Sequence, residues 1–242
     1  MSVPAAGDIA GAARPARVLI GLTSHGKLGE TGRTTGFYVS EAAHPWQVLT
    51  AAGHQVELAS VAGGEPPRDG FDADDAIQGA FLADPAIARQ LAATRSFASV
   101  DPDRYDAVLF AGGHGTMWDF PNDTAAAALT RRIWEHGGIV AAVCHGPAAL
   151  VNVTLSDGTY LVAGRDVAAF TDDEERAVGL AETVPFLLAS TLAARGARHH
   201  PAPNFTAQVV RDGRLVTGQN PASAAGVAEQ ILAVLAEVDR RA

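Results

Sequence analysis

The sequence contains a single cysteine, Cys144, among its 242 residues. One cysteine excludes an internal disulfide framework and a cysteine-rich zinc site, and it is typical of a reducing cytosol. Lysine is equally scarce, since Lys27 is the only one and lies in a Gly-rich loop without the context of a pyridoxal-phosphate lysine. No phosphate-binding Gly-rich fingerprint is present either. We therefore predict a protein without a cofactor.

The sequence also lacks positive charge and long apolar runs. Its 27 acidic residues outnumber 18 Lys and Arg, and the formal net charge is -9. This balance argues against nonspecific binding to nucleic acid or to an anionic membrane. No stretch approaches the roughly 20 apolar residues of a membrane helix. Residues 1–14 lack the basic start and apolar centre of a secretory signal, so we expect a cytoplasmic location.

Hydrophobic residues make up 48% of the chain and charged residues 19%, as in ordinary globular proteins. Residues 1–15, rich in Ala, Gly and Pro, predict a flexible arm, and residues 16–242 a single catalytic domain. Short apolar runs then alternate with segments suited to helices. We predict strands at 17–23, 55–61, 105–111 and 139–143, and helices at 40–52, 84–94, 123–136, 184–195 and 221–238. This alternation indicates an α/β fold with an open, mostly parallel sheet.

Three stretches interrupt the alternation. Residues 62–79 form a Gly-, Pro- and Asp-rich excursion that could be a loop or a lid. Residues 161–164 and 167–170 predict short β segments around a turn. A hairpin is expected around Asp212-Gly213, a strong turn signal.

The apolar run 139–143 ends abruptly at Cys144, and His145 and Gly146 follow. A nucleophile carried on a sharp turn from a strand into a helix has this pattern, in which Gly146 permits the tight turn. The nearby helix N-terminus favours the thiolate over the thiol. A buried structural cysteine is the alternative, since free cysteine is among the most buried residue types. These residues alone leave both readings open.

Five stretches, in order over most of the chain, resemble the PfpI-like, class I glutamine amidotransferase-like superfamily, and most closely its heat-shock chaperone and glyoxalase III branch. The matching stretches are 35–45 (TGFYVSEAAHP), 111–121 (AGGHGTMWDFP), 143–147 (VCHGP), 170–175 (FTDDEE) and 216–223 (VTGQNPAS). The resemblance implies a flavodoxin-like three-layer sandwich with a mostly parallel sheet and Cys144 on a nucleophile elbow.

By position, the resemblance implies that Glu41 is the acid that approaches the cysteine sulfur. Ionisation of Glu41 beside a Cys144 thiolate would bring two negative charges together, so we expect a raised pKa for the Glu41 carboxyl. A carboxylate that caps a helix, or is simply solvated, is the alternative. His145 is the candidate base, and the matching branch takes its orienting partner from the Phe-Thr-(Asp/Asn)-x-x-Glu stretch. Here this partner is Glu175, with Glu174 as the near alternative. An exposed acidic helix start would explain both acids equally well.

The same resemblance predicts an oxyanion site from the backbone N–H groups of Gly113 and His145, where such donors typically contribute about 3 kcal/mol. His114 could bind substrate there or only shape the loop. Trp118 and Phe120 are expected to line the pocket or pack in the core. Adjacent side chains of an extended segment point opposite ways, so the pair at 199 and 200 makes a poor metal site and none is predicted.

The resemblance implies a glutathione-independent glyoxalase that converts methylglyoxal or a related 2-oxoaldehyde to a 2-hydroxy acid. Deglycation would use the same thiol. A holdase chaperone or a redox-sensing stress protein is the alternative from another class, because a reactive thiol is readily oxidised. A cysteine peptidase is less expected. Glutamine amidotransferase activity is disfavoured because no Glu closely follows the downstream His199-His200 pair. The superfamily implies a homodimer.

Overall fold

A mostly parallel sheet of seven strands forms the centre of the protein. The structure is a computed structural model that describes residues 14–239. Within these residues the strands are β1 (Arg17–Leu22), β2 (Phe37–Tyr38), β3 (Gln55–Ser60), β4 (Arg68–Asp69), β5 (Arg95–Ser96), β6 (Ala107–Phe110), β7 (Ile139–Val143), β8 (Asp166–Val167), β9 (Arg198–His199), β10 (Val209–Asp212) and β11 (Leu215–Gly218). The helices are α1 (Val39–Ala51), α2 (Ala76–Ala83), α3 (Pro85–Ala92), α4 (Thr116–Asp119), α5 (Thr124–Glu135), α6 (Asp172–Ala177), α7 (Leu188–Ala194) and α8 (Ala224–Asp239).

The central sheet has the strand order β10-β11-β7-β6-β1-β3-β5. Every pairing in it is parallel except that of β10 with β11. The chain adds β3 and β5 on one side of β1 and then crosses to place β6 and β7 on the other. A topological switch point therefore lies between β1 and β6, and ligands bind at the carboxyl ends of strands beside such a point.

Burial on both faces explains why these segments form parallel strands. All residues of β6 and β7 are buried, as the continuous apolar runs indicate. Alternate residues of β7 enter different cores: Val140 and Ala142 pack in one, and Ile139, Ala141 and Val143 in the other. Helices α1 and α8 cover the second face, and α5 and α7 cover the first. The prediction of an α/β three-layer sandwich is confirmed.

Helix ends follow from their capping residues. Asp84 caps α3 by accepting hydrogen bonds from the N–H groups of Ala86 and Ile87, and Pro85 occupies the first turn as predicted. Asp123 caps α5 through the N–H of Ala126. The predicted helices at these positions are confirmed within two residues.

Two parts of the secondary-structure prediction are wrong. Residues 161–164 form turns rather than a strand. Of the predicted segment 167–170 only Val167 is in a strand, as part of β8, which pairs with β9. The excursion 62–79 contains β4 and the start of α2, whose N-cap Asp75 accepts from the N–H groups of Ile77 and Gln78. The interspersed Gly and Asp residues concealed this helix, although it buries Phe81 completely.

By length and composition alone, the C-terminal helix is apolar enough to cross a membrane. In the described part of the chain, the segment Pro221–Val238 meets that criterion with a mean hydropathy of 1.2. Core helices pass the same test, and α8 buries Val227, Ile231 and Val234 against the sheet. Of the predicted arm, residues 1–13 lie outside the described residues, and the single catalytic domain over 16–242 stays a prediction.

Candidate active site

The backbone turns sharply at Cys144, where β7 ends. Cys144 has φ 60, in the left-handed region that side chains other than glycine rarely adopt. A short 3-10 helix, Gly146–Leu150, follows directly. A Cβ at Gly146 would lie 2.2 Å from the carbonyl oxygen of Phe110, so only glycine fits there. Strain of this kind concentrates at functional sites, and the turn presents the thiol at the carboxyl edge of the sheet.

His145 lies between the thiol of Cys144 and the carboxylate of Glu175. Its Nδ1 is 3.3 Å from Cys144 Sγ, and its Nε2 is 2.7 Å from Glu175 Oε2. Burial alone would raise the pKa of Glu175, but hydrogen bonds from His114 and His145 lower it to about 2. An ionised carboxylate only accepts hydrogen bonds, so Nε2 carries the proton of neutral His145. Nδ1 is then the free base that faces the sulfur.

Burial has the largest effect on the basicity of His145. The imidazole is 1% exposed, and burial together with the neighbouring His114 lowers its pKa to about 4, against the opposing effect of Glu175. His145 is thus neutral at physiological pH. A neutral imidazole is the form that accepts a proton from a thiol.

His114 makes a contact that the sequence did not indicate. Its Nε2 lies 2.9 Å from Glu175 Oε1, so one carboxylate bridges two histidines. The ring centroids of His114 and His145 are 4.1 Å apart, and the Phe170 ring lies 4.3 Å from that of His145 and 6.1 Å from that of His114. Only the proximity of His114 to His145 followed from the sequence, because these residues lie in the loops after β6 and β7 and the carboxyl ends of adjacent parallel strands share one edge.

Glu41 enters the site from the first turn of α1. The side chain is fully buried, and its Oε2 accepts a 2.7 Å hydrogen bond from the N–H of Gly112. Oε1 makes no hydrogen bond of ordinary geometry in the described structure, and the Cys144 thiol beside it is close enough to lower the carboxyl pKa. Burial outweighs both contacts and raises the pKa of Glu41 to about 8.

The raised pKa of Glu41 agrees with the expectation, but its main cause is burial rather than a neighbouring negative charge. The expectation for the thiol is wrong. Burial, followed by the effect of Glu41, raises the pKa of Cys144 well above its ordinary value, although the sequence favoured a thiolate. Cys144 is 4% exposed and the helix after it is a short 3-10 turn, so desolvation exceeds any dipole effect. At neutral pH a thiol and a carboxylic acid therefore lie side by side.

Two backbone N–H groups, those of Gly113 and His145, were predicted to form an oxyanion site. Within residues 14–239, the N–H groups of Gly113 and His145 donate no hydrogen bond to an oxygen atom. Gly113 has φ +100, and a Cβ there would lie 2.2 Å from the carbonyl oxygen of Gly36. Glycine is thus required where the loop turns. The N–H of His145 interacts with the Cys144 sulfur and lowers the pKa of the thiol, so the oxyanion role of the two N–H groups stays a prediction.

Glu174 is not the carboxylate that contacts His145. It forms a capping box with Thr171, since Oε2 accepts from the Thr171 N–H and the Thr171 hydroxyl accepts from the Glu174 N–H. Its Oε1 accepts from the Phe205 N–H and from Asn220 Nδ2. Adjacent helix positions point about 100° apart, which explains why one acid reaches the site and the other the loop at Phe205.

The remaining predicted residues lie outside this group. Phe120 packs in the core, and Trp118 is partly buried and stacks on His25. His199 faces the carbonyl oxygen of Ala169, whereas His200 contacts Asp166 on the surface, so the adjacent histidines have separate partners.

A metal ion could be held by one group of described residues. Ligand atoms of His114, His145 and Glu175 lie within 4.8 Å of one another. The two Nε2 atoms instead donate to separate carboxylate oxygens, and each would have to lose that proton before it could bind a metal. The prediction of no metal site stays a prediction.

A family model, the DJ-1/PfpI family, matches residues 34–234 of the chain. The chain belongs to the DJ-1/PfpI family. Among curated relatives in this family, Glyoxalase 3 of Candida albicans is 32% identical over 237 residues, 90% of this chain and 97% of that protein. The crystal structure of glyoxalase III from Candida albicans has a TM-score of 0.82 at 30% identity, over 90% of this chain and 97% of that one.

A second solved DJ-1/PfpI structure is more similar in sequence. The Rapid Encystment Protein of 24 kDa from Francisella tularensis has a TM-score of 0.88 at 36% identity, over 91% of this chain and 99% of that one. The resemblance to the PfpI-like superfamily and its glyoxalase III branch is therefore confirmed over nearly the whole chain.

Proposed function

We propose that the protein is a glutathione-independent glyoxalase that converts methylglyoxal or a related small 2-oxoaldehyde to a 2-hydroxy acid. One observation carries the proposal: Cys144 Sγ lies 3.3 Å from His145 Nδ1 in a chain that matches Glyoxalase 3 over 90% of its length. The buried acid Glu41 beside the thiol supplies the second proton-transfer group that the conversion requires. Lactate is the product from methylglyoxal.

The first step joins the sulfur to the aldehyde carbon. His145 Nδ1 takes the thiol proton of Cys144, and the sulfur attacks the aldehyde. The aldehyde oxygen receives the proton of Glu41, whose pKa of about 8 keeps it protonated at neutral pH. The result is a hemithioacetal, a carboxylate at Glu41 and an imidazolium at His145. Glu175, with its pKa lowered to about 2, stabilises the imidazolium.

The second step moves hydrogen from the aldehyde carbon to the ketone carbon. The Glu41 carboxylate removes the proton on the aldehyde carbon while the ketone oxygen takes the proton of His145, which gives an enediol. Glu41 then returns its proton to the former ketone carbon, and His145 takes one from the enediol hydroxyl. The product is a thioester of the 2-hydroxy acid on Cys144. Acid–base catalysis of this kind contributes ~10²–10⁴-fold.

Water then releases the product. The Glu41 carboxylate takes one proton of the water while its oxygen attacks the thioester carbon. The N–H groups of Gly113 and His145 stabilise the oxyanion that forms. Sulfur leaves with the proton of His145, which restores the thiol, the acid and the neutral imidazole. Methylglyoxal and water have then given lactic acid, with no redox partner.

Burial of the thiol favours a small substrate over a polypeptide. Cys144 is 4% exposed and Glu41 is fully buried, which fits a small aldehyde and disfavours a peptidase. Deglycation of early adducts uses the same thiol and stays a related proposal. The high pKa of the thiol gives no support to a redox sensor, because the thiolate is the form that is oxidised.

Two further proposals concern assembly and location: the superfamily resemblance supports a homodimer, and the single cysteine supports a cytoplasmic location. Light scattering tests the first, with a mass twice that of the chain expected and a single-chain mass as the contradiction. Cell fractionation tests the second.

A substrate screen tests the function. The purified protein is offered methylglyoxal, glyoxal or a glutamine donor in buffer without glutathione. We expect a 2-hydroxy acid from each aldehyde and no ammonia from glutamine. Failure with both aldehydes would overturn the proposal, and ammonia release would favour an amidotransferase instead.

A further inference from the structure

Phe205 is in a strained backbone conformation that it shares with the candidate nucleophile. In residues 14–239, only Cys144 and Phe205 are non-glycine residues with positive φ, at 60 and 61 respectively. A bulky aromatic residue in the left-handed region is an outlier, and such strain persists only where the surroundings hold it. The strain at Cys144 is part of the nucleophile turn. That turn does not account for the strain at Phe205.

A buried polar network holds Phe205 in place. Its N–H donates a 2.7 Å hydrogen bond to Oε1 of Glu174, a residue with no exposed surface. The fully buried Asn220 donates from Nδ2 to the same oxygen at 2.9 Å and to the carbonyl oxygen of Thr206 at 2.7 Å. A buried carboxylate and a buried amide therefore fix the backbone on both sides of Phe205.

This network does not serve to bury the phenyl ring. Phe205 is 52% exposed, one of the few large apolar residues on the described surface. Had the segment evolved to pack Phe205 in the core, the ring would be inside, where burial favours folding. The fold instead holds an apolar ring rigidly at the surface, as contact residues of binding sites are held.

The ring ends a row of three aromatic groups, His145, Phe170 and Phe205, that begins at the site. Centroid distances along the row are 4.3 Å from His145 to Phe170 and 6.5 Å from Phe170 to Phe205, and His114 lies beside it, 4.1 Å from His145 and 6.1 Å from Phe170. His145 contacts Cys144, Phe170 is buried, and Phe205 faces solvent. The Phe205 ring is therefore the exposed end of a continuous set of ring contacts that begins beside the nucleophile.

We propose that Phe205 is a specificity-determining residue that contacts the substituent on the ketone carbon of the substrate and favours aryl or branched alkyl 2-oxoaldehydes. This inference rests on the proposed glyoxalase function. Phenylglyoxal is the simplest aryl member of the class, and its ring can pack edge-to-face or offset against Phe205 as aromatic pairs prefer. Methylglyoxal, with one methyl group, does not reach the end of the row.

Kinetics with two substrates test the proposal. The ratio of kcat/KM for phenylglyoxal to that for methylglyoxal is measured for the wild type, Phe205→Ala, Phe205→Gly and Phe205→Leu. We expect the ratio to fall about tenfold in the Ala and Gly variants, as for other lost apolar contacts in a specificity pocket. Phe205→Leu should retain most of the wild-type ratio. An equal fall in the ratio for Phe205→Ala and Phe205→Gly assigns the effect to loss of the ring, because Gly also relieves the backbone strain whereas Ala does not.

Val178→Ala is the matched control, because Val178 is an exposed large apolar residue that is not a member of the row. Its ratio should equal that of the wild type. An unchanged ratio in Phe205→Ala and Phe205→Gly would overturn the proposal even if both substrates are turned over.

A second measurement does not depend on turnover. Cys144 is the only cysteine, so thiol reagents report on this site alone. Benzyl and methyl methanethiosulfonate each place their group on the sulfur as a mixed disulfide and release methanesulfinate. We expect the rate ratio, benzyl over methyl, to fall several-fold in Phe205→Ala and to stay constant in Val178→Ala. A constant ratio in Phe205→Ala would overturn the role of Phe205, whereas failed aldehyde turnover with an altered ratio would overturn only the glyoxalase function.

Discussion

His145 Nε2 donates a 2.7 Å hydrogen bond to Glu175 Oε2, and this contact fixes which nitrogen of the ring faces Cys144. Because Glu175 is ionised, the proton of neutral His145 stays on Nε2 and the lone pair on Nδ1 points to the sulfur. The acid thus does two things: it selects the tautomer, and it stabilises the imidazolium that forms when the thiol proton is transferred.

Glu175→Gln tests both effects of this contact. The amide oxygen of Gln can still accept from Nε2, but the negative charge that stabilises imidazolium is gone. We expect kcat for methylglyoxal to fall about 100-fold or more. Glu182→Gln, at an exposed acid near the same helix, is the control and should leave kcat unchanged. Near-normal turnover by Glu175→Gln would show that the carboxylate has no part in the reaction.

The pH profile of kcat/KM reports the two groups with shifted pKa values. His145 must be neutral to accept the thiol proton, so activity rises with pH through its lowered pKa of about 4. Glu41 must be protonated, so activity falls with pH through its raised pKa of about 8. We predict a bell-shaped curve with a broad maximum between these values. Activity that keeps rising above pH 9 would instead indicate that ionisation of the thiol alone limits the rate.

The substitution Glu41→Gln should stabilise the fold, and its gain in stability over the wild type should grow as the pH rises. The folded pKa of about 8 lies above the unfolded value of 4.5, so the folded protein holds a proton that the unfolded chain releases. The contribution of Glu41 to wild-type stability is therefore greatest below pH 4.5 and declines as pH rises to about 8. The gain from Gln should grow by up to about 1.4 kcal/mol per pH unit across this window. Denaturant unfolding at pH 5 and pH 8 measures it, and an equal gain at both values would refute the raised pKa.

Glu174→Ala should destabilise the fold. Its removal leaves the N–H groups of Thr171 and Phe205 and the amide of Asn220 without their acceptor. Buried donors left unsatisfied cost about 1–3 kcal/mol each, so we expect a loss of about 2–4 kcal/mol after relaxation. Asp173→Ala, at an exposed acid beside it, should change stability by less than about 0.5 kcal/mol. Equal effects of the two variants in chemical denaturation would contradict the buried network.

The sequence predicted the sheet and the helices of the sandwich because their signals are local. The continuous apolar run of β7 and the Asp84-Pro85 pair at the start of α3 each specify their own structure. Residues 76–83 were missed because their helix buries only one side, mainly through Phe81, inside a stretch rich in Gly and Asp. Residues 161–164 were predicted as a strand because a short apolar run has the same composition in a buried turn.

The site was less predictable because it depends on contacts distant in sequence. Cys144 and Gly146 could be recognised from the pattern of a strand that ends in a tight turn. The contact of His114 with Glu175 joins residues 61 positions apart, and no local pattern reports it. The pKa of the Cys144 thiol was predicted in the wrong direction because its degree of burial depends on packing around the elbow.

The most direct test of the account is D-lactate formation from methylglyoxal, in buffer without glutathione, by the wild type and by Cys144→Ala. The account predicts steady D-lactate formation by the wild type and none above the uncatalysed rate by the variant, with unchanged circular dichroism as evidence of folding. D-lactate formation by Cys144→Ala at the wild-type rate would contradict the central claim that this sulfur carries the substrate.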